Sequence, residues 1–116
     1  MRPLVIVPTY NERDNLPAIV ERLLAIRDLR VLVVDDASPD GTGEVADRLA
    51  ATESRVSALH RTADRGLGRS YVDGMRRALA TDATHVCQMD ADFSHDPAEL
   101  PRLLHASAGA DLVIGS

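Results

Sequence analysis

The residues of this sequence that could carry chemistry fall in three short clusters, each directly after a run of apolar residues. They are Pro8-Thr9-Tyr10-Asn11-Glu12, the segment from Asp35 to Thr42, and Asp90-Ala91-Asp92-Phe93-Ser94-His95. In an open sheet of parallel strands, ligands bind outside the carboxyl ends of the strands. If the apolar runs are such strands, all three clusters meet at one edge of the sheet, and the sequence predicts a ligand site there.

The third cluster contains a pair of carboxylates, Asp90 and Asp92. Residues i and i+2 of an extended segment point to the same side, so the two carboxylates repel unless a cation or hydrogen-bond donors separate them. Hard divalent ions prefer oxygen ligands and often keep substrate phosphates in their remaining positions. We therefore predict a divalent ion held by this pair and a diphosphate. The alternative is a polar turn before a helix that Asp96 caps.

The first two clusters are each open to two interpretations. Asp35 and Asp36 are neighbours, so in an extended chain one can face the cleft, and accept from a base N–H or a ribose hydroxyl, while the other serves structure. The alternative is an ordinary strand-end turn, because Ser38-Pro39-Asp40-Gly41 has turn chemistry of its own. In the first cluster, Tyr10 offers a flat face for a base and Glu12 an acceptor, or the segment is only a loop that enters a helix.

A further segment, Gly66-Leu67-Gly68, precedes a predicted helix. It is not a dinucleotide fingerprint, because Tyr71 occupies the third glycine position and the segment follows the third strand rather than the first. We expect it to allow close packing of the helix entry, with Arg65 or Arg69 near phosphate. An aspartate-based phosphatase is also disfavoured, since its nucleophile is expected after the first strand, where Pro8-Thr9 stand.

Composition limits the class of protein. The chain has 116 residues, which suits one domain, and a formal net charge of −5, which disfavours binding to nucleic acid. All thirteen basic residues are Arg, whose planar fork suits phosphate oxygens. The single Cys87 cannot form an internal disulfide and fits a reducing compartment. No run reaches the roughly 18 apolar residues of a spanning helix, so we expect any membrane contact to be peripheral, to involve a membrane-bound partner or to come from chain that is absent here.

The elements that must position the clusters alternate between strand and helix. Predicted strands cover residues 4–7, 31–34, 56–59, 85–89 and 112–114; predicted helices begin at Leu16 behind the cap Asn15, cover 43–52 and 68–80, and begin again at Asp96-Pro97. This alternation predicts an α/β fold, a mostly parallel sheet with helices on both faces. The chain stops at Gly115-Ser116 after the fifth strand, so we expect a domain that is truncated there.

Taken together, these segments resemble glycosyltransferase family 2, and within it the dolichyl- or polyprenyl-phosphate mannose synthases. The resemblance includes Gly66-Leu67-Gly68 through Tyr71 and Gly74, and the matching segments follow the family's order over nearly the whole chain. Ser-Pro-Asp-Gly-Thr at 38–42 and Ser94-His95 are the features most specific to the polyprenyl-phosphate branch. The family usually has Lys before the glycines, where Asp64 and Arg65 stand here, and Ser70 replaces a usual Ala, so the cation that reaches phosphate stays open.

The resemblance implies the nucleotide-sugar-binding fold called GT-A, with residues 1–116 as the donor portion and the acceptor-binding portion absent. It also implies a role for each matching position. The nucleoside would contact Pro8, Tyr10, Glu12, Val34, Asp35 and Asp36. Ribose and diphosphate would contact Asp90 and Ala91, and a divalent ion would be held by Asp92, the proposed catalytic residue, with Asp90 and Ser94 assisting. His95 would orient rather than catalyse.

The implied activity is an inverting, metal-dependent transfer of mannose from GDP-mannose to a polyprenyl (dolichyl) phosphate, with Mg²⁺ or Mn²⁺. A phosphate monoester is largely ionised above its second pKa of about 6, so no general base is nominated. We expect a cytoplasmic location at the cytoplasmic face of a membrane, and a fragment that is inactive alone. Two alternatives stay open: a family member that uses a UDP-sugar and a hydroxyl acceptor, and a non-catalytic nucleotide-binding fragment.

Overall fold

The computed structural model describes residues 2–62 and 67–89, which form four strands and three helices. In chain order these are β1 (Pro3–Thr9), α1 (Leu16–Leu24), β2 (Arg30–Asp35), α2 (Thr42–Thr52), β3 (Val56–His60), α3 (Leu67–Leu79) and β4 (His85–Gln88). Each predicted element within these ranges is confirmed, with bounds that shift by one or two residues. The predicted helix after Asp96 and the strand at 112–114 lie outside the described residues.

The four strands form one parallel sheet in the order β3-β2-β1-β4. β1 lies between its two partners, so that Val5 pairs with Val31 on one side and Cys87 on the other. The chain steps outward from β1 to β3 and then returns to the opposite side of β1. This reversal between β1 and β4 is the position at which open α/β sheets bind ligands, beyond the carboxyl ends of the strands.

The two faces of the sheet are covered by different helices. Side chains alternate along β1, so Val5 and Val7 pack with α1 and α2, while Leu4 and Ile6 pack beneath α3. Both faces are buried, which is why β1 and β2 are apolar along most of their length. Right-handed crossovers account for this arrangement. The chain moves from β1 to β2 to β3 through α1 and α2, and then returns across the sheet to β4 through α3, so α3 must cover the other face.

α3 approaches the sheet closely at Gly74. A Cβ at this position would lie 2.7 Å from Ile6 Cγ2 and 3.1 Å from Val34 Cγ2, too close for either branched side chain to remain in place. Glycine therefore sets the separation of α3 from the centre of β1 and β2. Close packing of α3 by a glycine was expected from the sequence, although at the helix entry rather than at Gly74.

The entry of α1 corrects one prediction. Asn15 occupies the position before the helix, but its side chain makes no capping hydrogen bond and its backbone is already helical (φ −88°, ψ −29°). The carbonyl of Glu12 accepts from Asn15 N at 3.2 Å and from Leu16 N at 2.9 Å, and this turn replaces the extended backbone that a side-chain cap requires. Asn15 Nδ2 instead donates to Glu12 Oε2 at 3.0 Å.

The exit of α1 is held by a distant arginine. Arg55 Nη2 donates to Leu24 O at 2.6 Å, and its Nη1 donates to Ile26 O and Leu29 O at 3.0 and 3.1 Å. These carbonyls lie at and just beyond the last residue of α1, where the helix has no further N–H groups to donate. Arg55 therefore stabilises the connection from α1 to β2, at the opposite end of β3 from the carboxyl ends of the strands.

Candidate functional site

The buried carboxylate of Asp35 binds the end of β1 to the loop after β2. Asp35 Oδ1 accepts from Thr9 Oγ1 at 2.8 Å and from Ser38 Oγ at 2.6 Å, and Oδ2 accepts from Ser38 N at 3.1 Å. Only 3% of the residue is exposed. We call these three residues, Thr9, Asp35 and Ser38, the Asp35 network. It gives Asp35 a structural role, and its predicted contact with a nucleotide stays a prediction.

The loop after β2 also holds the loop after β1 through three backbone N–H groups in succession. Ser38 Oγ accepts from Asn11 N at 2.9 Å, Thr42 Oγ1 accepts from Glu12 N at 2.9 Å, and Asp40 Oδ2 accepts from Arg13 N at 3.3 Å. Of the two interpretations of the segment from Asp35 to Thr42, the turn interpretation therefore applies to most of its polar side chains. Their function is to fix the backbone beside Tyr10.

The turn itself depends on a glycine and a carboxylate. Gly41 has φ +94°, a left-handed conformation that favours glycine and directly precedes α2. Asp40 Oδ1 accepts from both the hydroxyl and the backbone N–H of Thr42. The hydroxyl contact is the main cause that holds the pKa of the Asp40 carboxyl below its usual value. Asp40 is thus an anion that orders the first turn of α2.

Asp36 lies in a second buried cluster, centred on Arg61. Arg61 Nη1 donates to Asp36 Oδ1 at 2.8 Å and lies 3.5 Å from Ser70 Oγ, while Arg61 Nε donates to Asp73 Oδ2 at 2.6 Å. Asp36 is 8% exposed and Arg61 is 6% exposed. We call Asp36, Arg61, Ser70 and Asp73 the Arg61 cluster. It places a buried cation between a strand-end carboxylate and a carboxylate of α3.

The opposite charges of Arg61 and Asp73 stabilise each other's ionised form. The hydrogen bond from Arg61 is the main cause that lowers the pKa of Asp73, and the same contact is the main cause that raises the pKa of Arg61. Sequence reasoning missed both residues. A signal was available for Arg61, because it lies two residues after the predicted strand 56–59, at the edge where the acidic clusters were expected to meet.

The other predicted nucleoside residues differ in exposure. Tyr10 is 48% exposed at the end of β1, and Glu12 is half-buried. Pro8 is buried within β1, and Val34 is fully buried in the layer beneath α3, against Gly74. Tyr10, Glu12 and Asp36 thus follow two adjacent strands at the edge predicted for ligand binding. Their contact with a nucleotide stays a prediction.

The predicted metal site lies outside the described residues, because these end at Met89. Asp90, Ala91, Asp92, Ser94 and His95 all belong to it or its surroundings. Met89 itself is buried, and its N–H donates to Ile6 O at 3.0 Å, so the chain is still alongside β1 immediately before the acidic pair. Within residues 2–62 and 67–89, no group of three His, Cys, Asp or Glu side chains could hold a metal ion.

The predicted phosphate-binding arginines are partly described. Arg65 lies outside the described ranges, whereas Arg69 is exposed and lines a cavity of about 610 Å³ between the end of β3 and α3, together with Arg76 and Arg77.

Among the described helices, none is both long enough and apolar enough to cross a bilayer.

The order of the strands, their parallel pairing and the polar loops at their carboxyl ends define an open α/β domain, the class in which ligands bind beyond the carboxyl ends of the strands. The sequence profile of Glycosyl transferase family 2 matches residues 4–116. The chain therefore belongs to glycosyltransferase family 2.

Three curated relatives are similar to this chain over its whole length or nearly so. The chain is 54% identical over 117 residues to the undecaprenyl-phosphate mannosyltransferase of Micrococcus luteus, a match that covers 100% of this chain and 48% of the relative. It is 55% identical over 118 residues to the polyprenol monophosphomannose synthase of Mycolicibacterium smegmatis, covering 99% and 44%. The dolichol-phosphate mannosyltransferase of Pyrococcus furiosus is 39% identical over 120 residues, covering 100% and 33%. The chain thus spans about half the length of these relatives, or less.

Solved structures confirm the predicted GT-A fold. The mannosyltransferase PcManGT from Pyrobaculum calidifontis, in complex with GDP-Man and Mn²⁺, superposes with a TM-score of 0.68 at 31% identity, over 78% of this chain and 27% of that one. S. aureus TarS 1-349 superposes with a TM-score of 0.69 at 20% identity, over 94% of this chain and 33% of that one, which shows the fold alone.

Proposed function

We propose that the complete natural protein transfers mannose from GDP-mannose to a polyprenyl phosphate, with inversion at the anomeric carbon, and that the present residues supply the donor site. The observation that carries this proposal is the fixed pair of loops after β1 and β2. They lie beside the reversal between β1 and β4, and the Asp90-Ala91-Asp92 sequence follows β4 directly. The names and similarity of the three curated relatives support the choice of sugar and acceptor.

The nucleoside half of the site is formed by the loops after β1 and β2. Tyr10 is exposed enough to pack against a base, and Asp36 is a carboxylate that can only accept hydrogen bonds while ionised. Guanine presents two adjacent N–H donors on one edge, whereas uracil presents one, so a fixed carboxylate favours guanine. The predicted contacts of Pro8, Glu12, Val34 and Asp35 complete this half.

The diphosphate half is formed by Asp90 and Ala91, with Asp92 and Ser94 as ligands of Mg²⁺ or Mn²⁺. These side chains offer only oxygen donors, which is the set that both ions accept. Mn²⁺ accompanies GDP-Man in the structure of PcManGT, which supports a divalent ion here. When bound, the ion would offset the negative charge that develops on the departing diphosphate.

The acceptor supplies its own nucleophile. A phosphate monoester is mostly a dianion at neutral pH, since its second pKa is about 6, so no side chain of this chain is required to remove a proton. A polyprenyl acceptor is held in a membrane, and the complete protein would meet it by peripheral contact at the cytoplasmic face. We assign acceptor contacts to no residue of the described ranges.

The test is donor binding followed by turnover in the complete natural protein. Calorimetry with GDP-mannose should show binding with Mn²⁺ that is lost when a chelator is added, and incubation with polyprenyl phosphate should give a mannosylated lipid phosphate. Donor binding of equal strength without a divalent ion would contradict the metal site. Transfer from a UDP-sugar to a hydroxyl acceptor would support the other family activity, and binding without any transfer would support a non-catalytic role.

A further inference from the structure

We infer that Arg61 is a positioning residue for donor binding: its guanidinium fixes the carboxylate of Asp36 in the direction that accepts the nucleotide base. The inference rests on the proposed function and extends it to a residue that follows β3 rather than β1, β2 or β4. Arg61 itself is not placed in contact with the donor.

The position of Arg61 is fixed on two sides. Its backbone N–H donates to Asp35 O at 2.8 Å, which continues the pairing of β2 and β3 by one residue beyond His60. Its side chain, 4% exposed, is held by Asp73 at Nε and meets Asp36 at Nη1. A guanidinium anchored at its backbone and at Nε has little freedom left, so it defines one position for Asp36 Oδ1.

The charges in the cluster explain why a cation is needed there. Arg61 pairs with the buried carboxylate of Asp36 and with the carboxylate of Asp73, whose side chain is 37% exposed, so without Arg61 both would lose their cation. Removal of the cation beside a buried carboxylate favours movement of that carboxylate toward water or uptake of a proton, because charge in a buried site is costly. In either case Asp36 would lose the geometry of a fixed hydrogen-bond acceptor.

The cluster also makes α3 part of the site. Asp73 and Ser70 both lie on α3, and Gly74, the next residue after Asp73, is the position where α3 packs closely against Ile6 and Val34. The separation of helix and sheet therefore sets how far Asp73 stands from Arg61.

Stability alone is a poor explanation of this arrangement. A buried ion pair is often no more stabilising than well-packed apolar residues of the same volume, whereas supporting hydrogen bonds are what hold a binding group in its productive orientation. The Asp35 network already holds the two loops together with one carboxylate and neutral donors. A positioning role for the Arg61 cluster accounts for the additional buried charges.

The experiment compares two arginine variants in the complete natural protein. Arg61→Met removes the cation from the cluster, and the matched control Arg55→Met removes a half-buried arginine that donates to three carbonyl oxygens at and beyond the end of α1. Calorimetry measures binding of GDP, of UDP, and of inorganic pyrophosphate with Mn²⁺, at a temperature where circular dichroism shows each variant folded. Pyrophosphate serves as the probe of the diphosphate half alone.

Arg61→Met should weaken GDP binding by about tenfold or more and reduce the preference for GDP over UDP, because the acceptor is no longer fixed before binding. Pyrophosphate affinity should stay within about twofold, since it reports only the metal and diphosphate half. Arg55→Met should leave the affinities for all three probes unchanged. Arg61→Lys, which keeps the charge but not the fork, should fold and still lose part of the preference for GDP.

Two results would overturn the inference: unchanged GDP affinity in Arg61→Met, or equal losses for GDP and pyrophosphate, which would mean that Arg61 acts only through the fold. If Arg61→Met does not fold, the same two criteria apply to Arg61→Lys. Failure of the proposed function looks different: a wild-type protein that binds no GDP would remove both proposals, whereas one that binds GDP but transfers no mannose would remove the proposed function and leave the positioning role in place.

Discussion

The Asp35 network and the Arg61 cluster use adjacent aspartates at the end of one strand in different ways. Asp35 accepts from a hydroxyl of β1 and from the hydroxyl and N–H of Ser38, and all of these donors are uncharged. Asp36 instead faces the buried guanidinium of Arg61. Neutral donors tie two loops together, whereas the ion pair fixes one carboxylate. Two buried carboxylates of the same charge therefore need not have the same role.

The largest effect is expected outside both regions, at the predicted metal ligand Asp92. Asp92→Asn should lower transfer by about 100-fold or more, because the ion that offsets charge on the leaving group would be held poorly. Ser38→Ala, in the Asp35 network, should lower it only severalfold. Steady-state kinetics at one fixed Mn²⁺ concentration that does not saturate the variant compares the two. Equal losses would remove Asp92 from its role and would make the support of the loops as important as the metal.

The next prediction separates the two aspartates by stability. Asp35→Ala should lower the free energy of unfolding by about 2–4 kcal/mol, since three donors lose a buried, charged acceptor. Asp36→Asn keeps the shape of the side chain and should cost less stability, but it should weaken GDP binding about tenfold. Urea unfolding and calorimetry on the same samples measure both quantities. The assignment of different roles to the two aspartates would be wrong if Asp36→Asn were the more destabilising change, or if Asp35→Ala weakened GDP binding and Asp36→Asn did not.

A smaller effect is expected where α3 meets the sheet. Gly74→Ala should lower the free energy of unfolding by about 1–3 kcal/mol, because the added methyl group would press on Ile6 and Val34. Val72→Ala, at a position that is 42% exposed on the same helix, serves as the control and should change stability much less. Thermal unfolding measures both. A stabilised Gly74→Ala variant would show that α3 can move away from the sheet, and the Arg61 cluster would then be less rigid than described.

The smallest effect concerns acid stability. Arg61 holds the pKa of Asp73 below its usual value, so the folded state favours the ionised carboxyl. This stabilisation is complete above the unfolded pKa of about 3.9 and is lost as the pH falls through the lowered folded value. Asp73→Asn should therefore show a shallower loss of stability below about pH 4 than the wild type. Identical acid-unfolding curves would indicate that Asp73 contributes nothing through its charge.

Most of the fold was predictable because its signals are local. The apolar runs of β1 and β2 and the apolar stripe of α1 predicted these elements to within two residues. The prediction that the Asn15 side chain caps α1 was wrong, because a turn at Glu12 already places Asn15 in a helical conformation. A turn that forms before the capping position leaves no separate mark in the pattern of residue types.

The candidate site was predictable only as a set of positions. Parallel strands bring their carboxyl ends together, so the sequence placed Tyr10, Glu12 and Asp36 at one edge without knowledge of their contacts. Which residues at this edge support the loops and which are left to bind a ligand was not predictable. Ser38, Asp40 and Thr42 read as candidate site residues or turn residues, and the structure shows that they bind backbone N–H groups of the other loop.

By itself, the sequence determined the alternation of strands and helices, the burial of both sheet faces and the edge at which polar residues collect. Each of these depends on residue types within a few positions of one another. The tertiary structure alone decided that Asp35 supports a loop and that Asp36 faces a cation, because Thr9 lies 26 residues before Asp35 and Arg61 lies 25 residues after Asp36. Two adjacent carboxylates differ only through partners that folding brings to them.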